Sequence, residues 1–176
     1  MQVRIVKYNP AWPKEFEQEA ASIKATLDEV LTNIFHIGST SVPGLVAKPI
    51  IDIMLEVTDL LALDAKSQDM EQLNYEVMGE YGIPGRRYFR KGGDHRTHHV
   101  HAFLTGDPNL KRHLAFRDYL RAHPDIALAY GALKLEIANK GNGDTAHYSE
   151  SKDPFIKLHQ RKALKWYENE VSGPQN

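Results

Sequence analysis

Two short segments of the chain carry the side chains best suited to chemistry. The segment HIGSTSVPGLVAKPIIDI, residues 36–53, joins a Gly-Ser-Thr turn to an apolar run that holds one carboxylate, Asp52. The segment THHVHAFL, residues 97–104, carries His99 and His101 one residue apart. Successive side chains of a strand point to opposite faces, so the two imidazoles share a face. With Asp52 on a neighbouring strand, they would supply three ligands of a metal site with open positions.

A structural role for the same histidines stays open. A His-x-His pair on a solvent-facing strand that makes ordinary hydrogen bonds has the same spacing. The carboxylate of Asp52 favours the metal site, because a charge in an apolar strand needs a partner or a ligand. Both interpretations stay open.

The turn before Asp52 is a candidate anion site. Gly38, Ser39 and Thr40 supply backbone N–H groups and hydroxyls in a tight loop, which can hold a phosphate. Lys48 stands at the entrance of the following strand and can contact the same anion. The alternative is that Gly38 only permits the turn and that Lys48 is a solvated lysine at the strand's edge.

The basic segment IPGRRYFRK supplies further candidate contacts to the same ligand, here called the basic wall. Arg86, Tyr88 and Arg90 alternate along it and so share one face of an extended chain. Guanidinium groups beside an aromatic ring suit a phosphorylated ligand. An exposed hairpin whose charges only maintain solubility would show the same pattern.

Composition narrows the function classes. The chain has 176 residues and a formal net charge of -1, which predicts one domain and argues against nucleic acid as a partner. It has no cysteine, so disulfides, thiolate zinc sites and thiol nucleophiles are excluded. The sequence shows no signal peptide and no apolar run long enough for a membrane span, which predicts a cytoplasmic protein without a membrane partner. We expect a single domain over residues 1–170 and a disordered tail over 171–176.

The elements that must position these residues follow from periodicity and turn residues. Strands are predicted at VRIVKY, IFHI and PIIDIMLEV, and Ile51, Ile53, Leu55 and Val57 are assigned to the core face of the last. A helix is predicted from about Trp12 to Leu31, and another from an N-cap at Thr58 or Asp59 to about Leu73. Three further extended segments are YEVMG, RRYFRK and THHVHAFL.

From Pro108 onward the pattern is helical. A first helix ends at His123-Pro124, and a second has Ile126, Tyr130, Leu133 and Ile137 on one face. Residues 141–145 are predicted as a loop, and a last helix is expected from about Asp153-Pro154 to Tyr167. Strands early and helices late predict an α+β fold, a mixed β-sheet with helices on one face and a helical C-terminal part, with Asp52 on the open face.

Four segments together resemble the GrpB family of small bacterial proteins, grouped with the DNA polymerase beta-like nucleotidyltransferase superfamily. They are HIGSTSVPGLVAKPIIDI, IPGRRYFRK, THHVHAF and RHLAFRDYLRAHP, and the similarity runs from about Val6 to Ile156. The resemblance implies a nucleotidyltransferase-like fold in which a Gly-Ser loop holds triphosphate. In that superfamily, two carboxylates one residue apart and a third on a later strand hold two divalent cations that assist an in-line displacement.

This chain matches that pattern only in part. Gly38 and Ser39 match the loop and Asp52 matches the first carboxylate, but Met54 takes the second position and His99 and His101 fall where the third is implied. Glu56 lies one step further along the strand. A thioether is a poor ligand for Mg²⁺, whereas aspartate with histidine suits Zn²⁺ or Mn²⁺, so the implied cofactor is a divalent metal among Mg²⁺, Mn²⁺ and Zn²⁺.

Three functions are compatible with these residues. The first is a nucleotidyl- or phosphoryltransferase, in which Asp52 is the catalytic carboxylate and the phosphates contact the loop, Lys48, Arg86 and Arg90. The second is a binding domain that has lost the chemistry, and the third is a hydrolase in which an Asp-His-His metal site activates water. Fusion of some family members to dephospho-CoA kinase or acetyltransferase domains implies a nucleotide or coenzyme-like ligand.

Overall fold

The structure is a computed structural model that describes residues 3–141 and 144–172. Within this part of the chain, five strands form one mixed sheet in the order β1-β2-β5-β4-β3. The strands are β1 (Leu31–Ile37), β2 (Ile51–Val57), β3 (Tyr75–Val77), β4 (Arg87–Lys91) and β5 (His98–Leu104). The helices are α1 (Trp12–Leu27), α2 (Leu60–Asp64), α3 (Ser67–Gln72), α4 (Pro108–Ala122), α5 (Pro124–Lys140) and α6 (Thr145–Ser172).

The central pair of strands determines the geometry of the sheet. β2 runs parallel to β5, and the other adjacent pairs, β1 with β2, β5 with β4 and β4 with β3, are antiparallel. A parallel pair needs a long crossover, and here the crossover between β2 and β5 contains α2, α3, β3 and β4. The α+β class with a mixed sheet is therefore confirmed.

One face of the sheet is the main core. Ile51, Ile53, Leu55 and Val57 of β2 are almost fully buried there, as the period-two pattern predicts. They pack against apolar side chains of α1, α2 and α3, among them Ile23, Leu27, Leu63 and Met70. The side of α1 that carries Ala20, Ile23 and Leu27 is its buried side. Asp59 caps α2, the first short helix after β2, because its carboxylate accepts hydrogen bonds from the backbone N–H groups of Leu61 and Ala62.

The other face of the sheet is only partly free of helices. Met54 and Phe103, on this face, pack with Ile37 and with Leu110 of α4. The helices α4, α5 and α6 form a further core of their own around Val42 and Leu45. The prediction that the Asp52 face is open therefore needs a correction: α4 covers the end that carries Met54, and the end that carries Asp52 opens into a pocket.

Four predicted boundaries differ from the structure. VRIVKY is not a strand of the sheet; it forms a single bridge, in which Val6 and Ala47, a residue of the segment before β2, exchange two backbone hydrogen bonds. The first helix ends at Leu27, where Asp28 takes a positive φ of 47°, and a 3-10 turn leads into β1. The single helix predicted up to Leu73 is divided into α2 and α3.

The fourth difference concerns α6, which begins at Thr145 and contains Pro154 within it. Proline has no backbone N–H and is therefore expected in the first turn of a helix. Here eight residues of α6 precede the predicted start at Asp153-Pro154. The carboxylate of Asp144 accepts a hydrogen bond from the N–H of Ala146 and caps this earlier start. The helix continues to Ser172, beyond its predicted end at Tyr167, and residues 173–176 of the predicted tail lie outside the described residues.

None of the described helices is both long and apolar enough to cross a membrane.

Candidate functional site

The register of the two central strands brings the predicted metal ligands together. Asp52 of β2 lies directly beside His99 of β5, and Met54 lies beside His101. Oδ1 of Asp52 is 3.3 Å from Nε2 of His101 and 3.5 Å from Nδ1 of His99. One ligand atom of each residue lies within 4.8 Å of the others, a spacing compatible with a single ion. The convergence of the three side chains is confirmed; their role as ligands stays a prediction.

The carboxylate of Asp52 remains ionised because its neighbours outweigh its burial. Burial by itself raises the pKa of this group, but hydrogen bonds with His101 and His99 hold the pKa of Asp52 well below its ordinary value. The side chain is 29% exposed, so it faces the pocket and is not enclosed in the core. The charge in the apolar strand is thus paired on one side and available to a ligand on the other.

Gly38 allows the loop to approach this carboxylate closely. Its φ is +72°, and a Cβ atom built on it would lie 2.7 Å from Oδ2 of Asp52. No side chain fits that space, and the positive φ would strain any other residue. The glycine is therefore required by the contact with Asp52 as well as by the turn.

The turn after Gly38 is held rigidly from several sides. The hydroxyl of Thr40 lies 2.8 Å from Nε2 of His36 in a buried hydrogen bond, and Thr40 also lines the pocket beside Ser39, so its contact with a ligand stays a prediction. Burial lowers the pKa of His36 to about 4, and this imidazole is neutral near pH 7. From α4, Arg117 donates to the carbonyl of His36 and Arg121 donates to the carbonyl of Ser41.

Two lysines that were not predicted from the sequence lie at the candidate anion site. Lys134 of α5 is only 2% exposed, and its Nζ donates to Oγ of Ser39 at 2.7 Å. Lys152 of α6 lines the same pocket as Lys48, Ser39 and Asp52. Lys134 and Lys152 therefore add two ammonium groups to the pocket that contains the predicted residues Ser39 and Lys48.

Aromatic rings hold the lysines beside one another. Nζ of Lys48 and Nζ of Lys152 lie 4.8 Å and 4.7 Å from the ring centre of Tyr148, and Nζ of Lys134 lies 4.7 Å from that of Tyr130. Burial, together with the charge of the neighbouring lysines, lowers the pKa of Lys134 to about 7 and that of Lys152 to about 8. Burial also lowers the pKa of Lys48. Burying these neighbouring positive charges costs free energy, and a bound anion would offset that cost.

Only one of these lysines had a readable signal in the sequence. Lys134 stands four residues after Tyr130 and three before Ile137, which places a cation on the apolar side of α5. The predicted face included Leu133, which is only partly buried, whereas Lys134 is buried. Lys152 and Tyr148 precede the predicted start of the last helix, so their approach to the loop had no local signal.

The arginines of the predicted basic wall occupy other positions. Nε and Nη2 of Arg90 each lie 3.0 Å from a carboxylate oxygen of Glu76, so its guanidinium is engaged at the far side of β4. Arg86 is buried and contacts His101, with its Nη1 3.3 Å from Nδ1 of the ring. Neither lines the pocket that contains Ser39 and the lysines. Their phosphate-binding role stays a prediction without a contact to support it.

The remaining carboxylate positions implied by the resemblance are not in the pocket. Met54 is fully buried in the apolar cluster with Phe103 and Leu110. Glu56 accepts a hydrogen bond from Nδ2 of Asn33 at 2.8 Å. Glu56 is four positions beyond Asp52 along the strand, about 13 Å at roughly 3.3 Å per residue. Glu56 therefore does not contribute to the site.

The site consists of two adjoining cavities. The first, of about 160 Å³, is lined by Ser39, Lys48, Asp52, His99, Lys134 and Lys152, among others. The second, of about 240 Å³, shares Ser39, Asp52 and Lys152 with it and extends to His113 and Gln160. A phosphate-rich group fits the chemistry of the first cavity, and the second offers room beside it.

Comparisons with known proteins agree with the sequence pattern. The chain is 44% identical over 164 residues to UPF0157 protein YqkA of Bacillus subtilis (strain 168), an alignment that covers 93% of this chain and 48% of that protein. The chain thus spans about half the length of this relative. The crystal structure of conserved protein GrpB from Enterococcus faecalis superposes with a TM-score of 0.91 at 45% identity, covering 93% of this chain and 99% of that one.

A more distant relative has a named activity. The chain is 26% identical over 189 residues to a dephospho-CoA kinase of Mycolicibacterium paratuberculosis (strain ATCC BAA-968 / K-10), covering 93% of this chain and 46% of that protein. The model of the family described as GrpB protein matches residues 2–162. The chain therefore belongs to the GrpB protein family.

Proposed function

We propose that this domain binds a nucleotide or a related phosphorylated molecule, with its phosphates beside Ser39, and that it transfers a nucleotidyl or phosphoryl group. The observation that carries the proposal is the convergence of Lys48, Lys134 and Lys152 on one small cavity. Like charges brought together under burial destabilise the empty protein, and a polyanion offsets both the repulsion and the lost hydration. Phosphate is the biological anion that most often takes several ammonium and backbone N–H donors.

The dimensions of the cavities support a phosphate end and a separate body of the ligand. A volume of about 160 Å³ is below the roughly 300–1,000 Å³ of ordinary small-molecule sites, so the lysine cavity suits phosphates and not a whole nucleotide. The second cavity, beyond Asp52 and Lys152, suits the part of the ligand that carries no phosphate. Asp52 stands between the two, where a reacting phosphorus atom would lie.

A divalent metal is part of the proposal, with Asp52 and His99 as its ligands. Nε2 of His99 is buried and has no hydrogen-bond partner among the described residues. Such an atom is costly unless a ligand or an ion contacts it. One carboxylate with imidazole suits Mn²⁺ or Zn²⁺ better than Mg²⁺, which prefers oxygen ligands. A bound ion would supply a Lewis acid to a phosphoryl oxygen.

A binding function without transfer is the second candidate, and Met54 favours it. The residue is part of the apolar core, so the second carboxylate of a two-metal mechanism has no place on β2. A site with a single carboxylate can keep the affinity for phosphates after losing the chemistry. The relative named dephospho-CoA kinase adds coenzyme A and its precursors to the ligands that are worth testing.

The test is calorimetric titration with ATP, UTP, coenzyme A and inorganic triphosphate, in the presence of Mn²⁺ or Zn²⁺. We expect at least one of them to bind the wild type, and Lys134→Met and Lys152→Met each to weaken its binding about tenfold or more, because each removes a charge-assisted contact. Lys140→Met, on the exposed side of α5, is the matched control and should bind like the wild type. Equal affinity in all variants would refute the phosphate site.

Transfer and binding are separated by ³¹P NMR of the bound nucleotide. The nucleotide is supplied with water and an added alcohol as acceptors. Release of pyrophosphate as the nucleotidyl group passes to one of them, or of the nucleoside diphosphate as the terminal phosphoryl group does, supports transfer if it is lost in Asp52→Asn. Saturable binding with an unchanged phosphorus spectrum over many hours supports the binding function.

A further inference from the structure

The hydrogen bonds around His101 determine which of its ring nitrogens carries the proton. Nδ1 of His101 lies 3.3 Å from Nη1 of Arg86, and Nε2 lies 3.3 Å from Oδ1 of Asp52. A guanidinium can only donate hydrogen bonds, so Nδ1 must be the acceptor. The proton of the neutral ring is then on Nε2 and points at the carboxylate. The three side chains form a directed series, with Arg86 donating to His101 and His101 donating to Asp52.

Arg86 is firmly held in this position. Its Nε donates to the carbonyl of Glu80 at 3.2 Å, and its Nη2 donates to the carbonyl of Tyr81 at 2.9 Å. The guanidinium also lies over the ring of Tyr88, 4.8 Å from its centre. The residue is 7% exposed, so solvent does not compete for these contacts. The donor that faces His101 therefore has little freedom to turn away.

This arrangement conflicts with a metal-binding role for His101. A histidine that ligates a metal through Nε2 carries its proton on Nδ1 and donates it to a carbonyl or carboxylate. Here the partner of Nδ1 is itself a donor, so two N–H groups would face each other. We propose that Arg86 is a positioning residue that fixes His101 as a hydrogen-bond donor to Asp52, so that His101 orients this carboxylate and does not ligate a metal.

His99 differs from His101 in its surroundings. Its Nδ1 lies 3.5 Å from Oδ1 of Asp52, and its Nε2 has no partner among the described residues, so no donor is directed at either nitrogen. The two histidines of the His-x-His pair thus have different roles: one is open to a ligand, and the other is committed to the carboxylate.

Imidazole ¹⁵N NMR of the metal-free protein tests the proposal directly. In the wild type at pH 8, the His101 signals should show a protonated Nε2 and an unprotonated, hydrogen-bonded Nδ1, assigned by comparison with His101→Gln. In Arg86→Met the Nδ1 signal should move toward the free-acceptor position, and Arg86→Lys, which keeps a donor, should partly restore it. A wild-type ring protonated at Nδ1 would overturn the proposal.

Zn²⁺ titration provides a second, independent measurement. We expect His101→Gln to change the Zn²⁺ affinity less than threefold, whereas His99→Gln should lower it about tenfold or more. Arg86→Met should bind Zn²⁺ about tenfold tighter than the wild type, and the gain should disappear in the double variant Arg86→Met, His101→Gln. Loss of Zn²⁺ binding in the single variant His101→Gln would show that His101 is a ligand after all.

The design remains decisive if Arg86→Met does not fold. The wild-type tautomer and the comparison of His99→Gln with His101→Gln do not use that variant, and either can contradict the proposal. The imidazole signals also report on the protein without nucleotide, so a failure of nucleotide binding would not change their interpretation.

Discussion

Asp52 is the residue on which the candidate site depends, because it is the carboxylate that the described pocket sets among cations and hydrogen-bond donors. Two imidazoles share its Oδ1, and the backbone of Gly38 closes against its Oδ2. Three lysines face it across the cavity. A carboxylate in these surroundings stays ionised and oriented, as a ligand for a metal ion requires.

Met54 provides a prediction at the residue scale. Met54→Asp would place a carboxylate at the position that the resemblance assigns to a second metal ligand. Because the side chain is fully buried among Ile37, Phe103 and Leu110, we expect this substitution to lower the free energy of unfolding by about 3 kcal/mol or more and to create no Mg²⁺ site. Urea unfolding and Mg²⁺ titration provide the two measurements.

Met54→Leu is the matched control for this prediction. It preserves the volume and apolar character of the side chain, and it should cost less than about 1.5 kcal/mol. A stable Met54→Asp variant with increased Mg²⁺ affinity would show that the side chain at this position can reach the site.

At the scale of elements, α4 braces the Gly-Ser turn, the proposed phosphate-binding loop. It reaches over the Gly-Ser turn and donates to backbone carbonyls on both sides of it, from Arg117 to His36 and from Arg121 to Ser41. A loop whose N–H groups are already oriented loses less entropy when an anion binds. The helix therefore supports the turn from behind, and it also lines the second cavity with His113, Phe116, Arg117 and Leu120.

Arg121 allows this bracing to be tested, because it does not line either of the two cavities. Arg121→Met leaves the carbonyl of Ser41 without its donor, and we expect a loss of stability of about 1 kcal/mol. Triphosphate binding should weaken about threefold to tenfold, through a slower association or a larger entropy cost in calorimetry. Arg161→Met, at an exposed position of α6, is the control. Unchanged affinity would mean that the turn is rigid without this bond.

At the scale of the whole molecule, the net charge of -1 hides a strong local asymmetry. The lysine cavity collects three cations from the residue 48 segment, α5 and α6, and the sequence places them far apart. A pocket of this kind makes stability depend on pH. The sign of the dependence follows from Lys134, whose pKa is lowered from 10.5 to about 7 mainly by burial.

Below about pH 7, Lys134 is charged in both the folded and the unfolded chain, and the penalty for its burial is fully present. Between about pH 7 and 10.5, the folded protein binds fewer protons than the unfolded chain, so stability rises with pH. We expect the unfolding free energy to increase by up to about 1 kcal/mol per pH unit from pH 8 to 10, an increase that Lys134→Met should reduce.

Lys134→Met should also be more stable than the wild type at pH 7, by about 1–2 kcal/mol, because it removes a buried charge. Guanidinium unfolding at several pH values measures both effects. Lys140→Met serves again as the exposed control on the same helix. A parallel pH dependence in the wild type and Lys134→Met would contradict the assigned pKa.

Much of the sheet and part of the site were predictable from local pattern. Alternation along β2 and β5 assigned Ile51, Ile53 and Val57 to the core and Asp52, His99 and His101 to the other face, and the structure confirms this assignment. The helix cap predicted at Thr58 or Asp59 from residue type is Asp59. These features depend on the period of a strand and on the chemistry of a helix end, which are properties of a few neighbouring residues.

The sequence by itself determined the family, the Gly-Ser turn, and the parity that brings Asp52 to the face of the two histidines. Only the tertiary structure decided that β2 and β5 are parallel neighbours in a register that makes the three side chains meet. The tertiary structure also placed Lys134 and Lys152 in the pocket with Ser39. It paired Arg90 with Glu76, away from the pocket, and Arg86 with His101. Local periodicity sets the face on which a side chain lies, whereas contact between distant residues depends on how helices pack across the sheet, which no short segment encodes.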